Sequence, residues 1–536
     1  RRRPGPLVPP PHPGAANSST MLDFLSVTVP EGDGQTFVAP DPRSCAAEAL
    51  DNHRRLGTAN TCLCGVPLSE WRRRTRAALS IAEDSILIAT GHQPAFIHPG
   101  VWAKYVVADR LGRALGGSSV SIVVDSDAPP HLNVVVPTLK AGRTEVQAIR
   151  FAEAAGGVPY EGLTRQAPTR LARFRKELGD AMGADFGAAM IGAYLEGMES
   201  ATASRDWVDQ AVEGRRRVDA DMGVSLRDVR VSDLAWDPWC AEMLANARRF
   251  ADAYNGSLGG YRRRSGIHSK NRPMPDLAVA ADGVETAMWA CRRGEVRRRC
   301  YVRESAGKLQ LLAQDVVVGE GDVRGVARGG VEVAADAWSR GWRLRPRALA
   351  LTVWVRLFLA DLFIHGVGGA KYDWVSNRII EEYFQIDPPA MSCVSATVSY
   401  RRPSHTVTLD DVRRLRHEMR DLRWNPQRQV PSARLDGDAA AVRAAAVCRG
   451  DSLRSDDPGN SVERHAVFAR IRELNEVLLR PAEDDLARRR RDLADAEAKH
   501  AENRLVCGRD YFFALYGRGS LQRLMDALPA LSDFRV

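Results

Sequence analysis

The run Ser85-Ile-Leu-Ile-Ala-Thr-Gly-His-Gln-Pro-Ala-Phe-Ile-His-Pro-Gly-Val-Trp-Ala-Lys104 decides the fold. Ser85–Ala89 is a short apolar stretch of the kind carried by a strand buried on both faces. Gly91 lets the chain turn sharply or bring its backbone close to a ligand. Pro99 suits the first turn of a helix, where its missing N–H costs nothing. The amides that follow, from Gly100 onward, would present unpaired N–H groups and partial positive charge, a ready anion site. Ser119–Val124 then reads as a second strand and ends in Asp125-Ser-Asp127. Strand, glycine turn, helix, strand and acidic pair is the order of a βαβ unit with its ligand at the carboxyl ends of the strands.

The first candidate site residues cluster at this turn. His92 and His98 flank it and would donate to phosphate oxygens as charge develops on them; the plainer reading is that one histidine caps the helix. Lys104 lies one helical turn beyond Gly100 and would either reach back to the phosphate or be an ordinary solvated side chain. Gly91 would let a ligand approach the backbone, and the amides from Gly100 onward would face it. Asp125 and Asp127, two residues apart on one face, would bind Mg2+, a ribose hydroxyl or a substrate amine, or simply open a turn.

Further along, Arg345–Ile364 reads as an apolar helix with Pro346 in its first turn. It is followed by His365-Gly-Val-Gly-Gly-Ala-Lys-Tyr-Asp373. Three glycines there allow a backbone nest for an anion, which makes His365, Gly366, Gly368, Gly369, Lys371 and Asp373 a second candidate cluster. The spacing does not fit a P-loop, and glycine is also common where a helix ends.

The rest sets the setting. A chain of 536 residues exceeds one ordinary core. The expected organisation is a Pro/Arg-rich leader over 1–20, with Met21 as a candidate start, and a helical segment over 21–80. An α/β core over 81–404 follows, with a helical insertion at about 165–255, and then a helical region over 405–536. Within that last region, Glu483–Asn503 carries interleaved charge around a short Leu/Ala seam, as in a coiled coil that could pair two copies of the chain. Net charge is +9, which permits anionic ligands without the density of a nucleic-acid-binding domain. The longest apolar stretch contains Arg356 and Asp361, which argues against a membrane span. Nine cysteines, with Cys62 and Cys64 the one close pair, suit reduced thiols in a cytoplasm and give no zinc spacing.

In order, the Thr90–Lys104 turn, Asp125-Ser-Asp127, Gly366-Val-Gly-Gly369 and a charged C-terminal helix resemble the bacillithiol-biosynthesis cysteine-adding enzyme (BshC) family. The resemblance implies a Rossmann-like parallel-sheet core related to nucleotidyltransferases and class I aminoacyl-tRNA synthetases, with helical insertions and a C-terminal coiled coil. It implies an adenine nucleotide (ATP or ADP), an amino acid and an amino-sugar acceptor as ligands. His98-Pro-Gly-Val101 also looks like the His-x-Gly-His signature of nucleotidyltransferases, with Val101 in place of the last histidine. Ile267-His-Ser-Lys-Asn271 approximates poorly the lysine-rich loop of that superfamily, and His92-Gln93 stands where the cysteine-adding family has Gln-Gln. The expected function is therefore a ligase-like enzyme with His92, His98 and Lys104 as catalytic residues. The alternative is a non-catalytic nucleotide or sugar-phosphate binding protein on the same fold.

Overall fold

The computed structural model describes residues 24–140, 143–153, 156–234, 236–322, 326–401, 405–456 and 461–536; the expected leader and Met21 lie outside them. Two compact units emerge, the first made of residues up to Val136, Ala148–Val398 and Arg509–Val536, the second of Pro137–Gln147 and Ser399–Gly508. Residues 509–536, assigned from the sequence to the C-terminal helical region, thus cluster with the first unit.

The first unit begins with β1 (Thr36–Ala39), α1 (Pro42–Gly57), a small hairpin of β2 (Cys62–Leu63) and β3 (Val66–Pro67), and α2 (Leu68–Ala78). The βαβ run follows as β4 (Leu87–His92), α3 (Pro99–Ala114) and β5 (Ser118–Val123), then a hairpin of β6 (Leu132–Lys140) and β7 (Arg143–Ala152). Helices α4 (Pro168–Met182), α5 (Ile191–Ser200) and α6 (Trp207–Asp221) lead to β8 (Arg227–Arg230), α7 (Asp237–Ala245) and α8 (Ala247–Arg264). Next come β9 (Val284–Cys291), β10 (Arg298–Ser305), β11 (Lys308–Ala313), β12 (Val316–Asp322), α9 (Val326–Ser339) and β13 (Arg343–Pro346). The unit continues with α10 (Ala348–Trp354), β14 (Leu362–His365), α11 (Val367–Ile379) and β15 (Met391–Ala396).

The fold is mixed α/β. The main sheet runs β1-β15-β14-β4-β5-β8. Its strands pair in parallel except β1, which closes the edge antiparallel to β15. From β4 the chain moves one way, to β5 and β8; β14 returns on the other side of β4 and the chain moves the opposite way, to β15. The order therefore reverses between β4 and β14, where parallel sheets open a crevice at their carboxyl ends. A second, antiparallel sheet runs β12-β11-β10-β9-β13.

Helix α3 is buried on nearly every face, through Trp102, Tyr105, Val106, Val107 and Leu111. It lies so close to β5 that a Cβ on Gly112 would run into Ser119 Oγ. Trp102 stacks on Phe513 with ring centroids 5.7 Å apart.

The structure corrects one element that matters for the site. Arg345–Ile364 is not one helix. β13 ends at Pro346, α10 closes in a π turn at Val355–Leu359, and Leu362–His365 is a fully buried strand. An apolar run covered on both faces has no alternation to mark it as a strand. Asp361 opens that strand as a buried hub: it accepts from Arg72 Nη2, from Arg76 Nη1 at 3.2 Å and from the Leu87 amide at 2.6 Å, with His53 Nδ1 at 3.1 Å. Burial alone would raise this carboxyl; His53, Arg72 and Arg76 outweigh it and hold it below the usual carboxylate range.

The second unit holds α12 (Leu409–Trp424), α13 (Pro426–Gln429), α14 (Gly437–Asp456), α15 (Ser461–Leu479) and α16 (Glu483–Val506); α17 (Arg518–Ala527) belongs to the first. α12 starts with a capping box between Thr408 and Asp411. The Leu/Ala seam of α16 is filled from within the chain, Leu493 and Ala496 packing with Val412. α14 runs to Asp456, and residues 457–460 lie outside the described ones. No described helix is long and apolar enough to cross a membrane.

Candidate functional site

The turn after β4 is built by close packing. A Cβ on Gly91 would stand 2.9 Å from Ile122 O, so this strand end needs glycine to lie against β5. His92 Nδ1 donates to Gln93 O at 3.1 Å. Burial first, then the Lys104 ammonium, pushes this imidazole down to about 3, so it is neutral. His98 caps α3, its Nδ1 accepting from the Gly100 amide at 3.1 Å. The Val101 and Trp102 amides donate to His98 O at 2.9 and 3.1 Å. The first amides of α3, expected to face a phosphate, are thus already occupied. The cap also fixes the tautomer: Nδ1 accepts, so Nε2 carries the hydrogen. Burial, then Arg509, lowers His98 to about 4.

Lys104 is 4% exposed. Its Nζ donates to Gly91 O at 2.8 Å, and it forms no ion pair among the described residues. Burial lowers the ammonium to about 8.

The glycines of the second cluster do not end a helix; they begin one. Gly366 is the N-cap of α11 and offers no side chain to it, and Gly368 and Gly369 are exposed in its first turn. Among the described residues the Val367, Gly368 and Gly369 amides donate to no acceptor, the first N–H used being that of Ala370, to Gly366 O at 2.9 Å. Strand pairing puts this turn beside the first: Ile364 is opposite Thr90, and Thr90 Oγ1 donates to Ile364 O at 2.9 Å. A Cβ on Gly366 would lie 3.9 Å from Lys104 Cδ. Half-buried Lys371 also belongs here, since both it and Lys104 act on the Cys393 thiol, which burial pushes up to about 12.

His365 and Asp373 serve a different purpose. His365 Nε2 lies 3.2 Å from Asp373 Oδ2, off the hydrogen-bond axis, and Arg356 Nη1 reaches the same oxygen at 2.6 Å. Burial would raise Asp373, but Arg356 and then His365 hold it at about 2. This buried set ties β14 to α11 and to the π turn.

The acidic pair does not converge. Asp125 is fully buried and its oxygens accept from the Ser232 amide at 2.9 Å, from Arg230 Nε at 2.7 Å and from Ser232 Oγ. They are committed to joining β5 and β8, which displaces the ribose, metal or amine role read for Asp125. Asp127 faces outward and binds Gln93 Nε2 at 2.9 Å and Arg297 Nη1 at 2.7 Å. Among the described residues no three His, Cys, Asp or Glu side chains gather as a metal site requires.

Two cavities lie nearby. One of about 20 Å³, the size of a single water, sits beneath the 93–97 loop among His92, Ser121, Tyr105 and Tyr194. One of about 520 Å³ runs along β8, where Arg205, Asp209, Arg216 and Asp228 pair with one another or with neighbours. Sequence reasoning missed Arg509. Its Nη2 lies 2.8 Å from where a Gly100 Cβ would be. It follows the second unit in the chain, and nothing local in Gly508-Arg-Asp510 signals a site.

The two exposed glycines separate fold from function. Gly368→Ala meets open space, whereas a Cβ at 369 would stand 2.7 Å from His365 Nδ1. Gly368→Ala should leave the melting temperature unchanged or raise it, by up to about 1 kcal/mol of helix propensity. Gly369→Ala should lower it, as thermal unfolding will show. No protein-family model matches this chain, and no curated protein sequence matches it.

Proposed function

We propose that the chain is a ligase-like enzyme on a Rossmann-like core. It binds an adenine nucleotide in the crevice between the ends of β4 and β14 and uses it to join an amine or amino acid to a small acceptor. The observation that carries this reading is Lys104, a buried ammonium with no carboxylate partner, set where the strand order reverses. A buried cation without a counter-charge is costly and calls for an anion. The free amides opening α11 and the Lys371 ammonium supply further donors for phosphate oxygens. His98, held neutral, keeps its Nε2–H as a hydrogen-bond donor rather than a fixed charge, whereas the one N–H of neutral His92 is spent on Gln93 O and leaves it an acceptor. The resemblance to cysteine-adding enzymes supplies the reaction class, with cysteine as the first amino acid to try, and the cysteines fit a cytoplasmic enzyme.

A second reading, a non-catalytic binder of nucleotides or sugar phosphates, is favoured by Val101 at the third position of the His-x-Gly-His pattern. Calorimetric titration with ATP and Mg2+, followed by chromatography of the products with and without amino acids, separates them. Release of AMP or ADP that requires an amino acid is the expected result. Binding without release moves the chain to the second reading, and no binding at millimolar ATP removes both.

A further inference from the structure

Beside the start of α3 stands an arginine with two donors left without an acceptor. Arg509 Nε and Nη1 are buried and have no hydrogen-bond partner. The neighbouring Asp510 carboxylate, 84% exposed, makes a solvated ion pair with Nε at 3.6 Å, beyond hydrogen-bond distance. Ala396 O, Arg509 Nη2 and His98 Cε1 lie 2.5, 2.8 and 3.0 Å from the same point, the place a Gly100 Cβ would occupy. The guanidinium and the imidazole therefore meet over Gly100. The imidazole already uses Nδ1 as an acceptor, so what remains on it is the Nε2–H donor. Leaving charged donors buried and unmade is costly, and a bound anion offsets that cost.

We propose that Arg509, with the Nε2–H of His98, forms a carboxylate subsite that seats the substrate joined in the reaction. The inference rests on the reading of the crevice as a ligase site. Charge divides the ligands. The polyphosphate, with several negative charges, matches Lys104, Lys371 and the α11 amides, whereas one guanidinium beside a neutral imidazole matches a single negative charge. Arg509 then determines specificity: an acceptor or amino acid lacking the carboxylate leaves its donors unpaired and is rejected.

Succinate and inorganic phosphate serve as probes, titrated separately into the wild type, Arg509→Gln and Arg509→Lys at constant ionic strength. Succinate should bind the wild type, and about tenfold or more weaker to Arg509→Gln, with Arg509→Lys between them and ATP affinity unchanged in both variants. A measurement on the unaltered protein guards against a variant that misfolds: succinate should protect the Arg509 peptide from phenylglyoxal, read by mass spectrometry. The proposal is overturned if succinate binds the wild type and Arg509→Gln equally, fails to bind at millimolar concentration, or gives no protection while phosphate does. Protection by succinate together with absent ATP binding would instead remove the nucleotide reading and leave the subsite standing.

Discussion

Lys104→Met is expected to abolish nucleotide binding while leaving the protein more stable than the wild type. Methionine keeps the length and apolar stem of the side chain and removes a charge that is 4% exposed and has no carboxylate beside it. Replacing buried charge with a well-packed apolar group is often stabilising, by about 1–4 kcal/mol. Removing one partner of a desolvated charge contact with a ligand costs about 2–5 kcal/mol, so affinity for ATP should fall by roughly a hundredfold or more. Calorimetry and thermal unfolding on the same preparation measure both. The sign of the pH dependence follows from the lysine's value of about 8 in the fold against 10.5 when exposed. Between these values the unfolded chain holds the extra proton, so this residue's contribution to stability rises with pH across that window and is flat below it. Binding of ATP runs the other way, weakening as pH climbs through about 8, and Lys104→Met should show neither trend. A variant that is less stable and still binds ATP would make Lys104 a scaffold residue.

Asp361→Asn is expected to give the largest loss of stability, about 3–5 kcal/mol. It leaves Arg72 and Arg76, respectively 3% and 2% exposed, without their shared counter-charge. Urea denaturation measures the loss. Because this carboxyl is held below its ordinary 3.8, its contribution is full above that value and disappears as pH falls through the folded one. The wild type should therefore lose stability in acid, and the variant should lose less over the same range. Asp361 lies far in sequence from Arg72 and Arg76, so its effect also reports how firmly α2 is fastened to the main sheet.

The strand, turn and helix of Ser85–Lys104 were legible because each carries its own local signal: an apolar run, a glycine, and proline at the first helical position. The strand nonetheless runs on to His92, since Gly91 and His92 still pair with Ile122 and Val123. Other strands were hidden by chemistry. β8 reads Arg-Asp-Val-Arg and β13 reads Arg-Leu-Arg-Pro, compositions that disfavour strands. One arginine of each is consumed in a buried pair, Arg230 with Asp125 and Arg345 with Glu161, which no local pattern reveals. His365, Lys371 and the glycines between them were found, but on the wrong side of a helix, because a doubly covered strand and a buried helix look alike when both are apolar. Asp125 and Asp127 share a face in an ideal strand; the turn that follows β5 sends them to different partners.

The order in which the chain is made sets when it can work. Trp102 on α3 is covered by Phe513, and Arg509 reaches over Gly100, yet the whole of the second unit, the Pro137–Gln147 tip included, is translated between α3 and these residues. A nascent chain still holding residues 509–536 inside the ribosome has its parallel strands in hand and an uncovered tryptophan beside them. Chaperone contact should persist until residues 509–536 have left the ribosome, and ligand-dependent protection from protease should appear only on chains long enough to expose them.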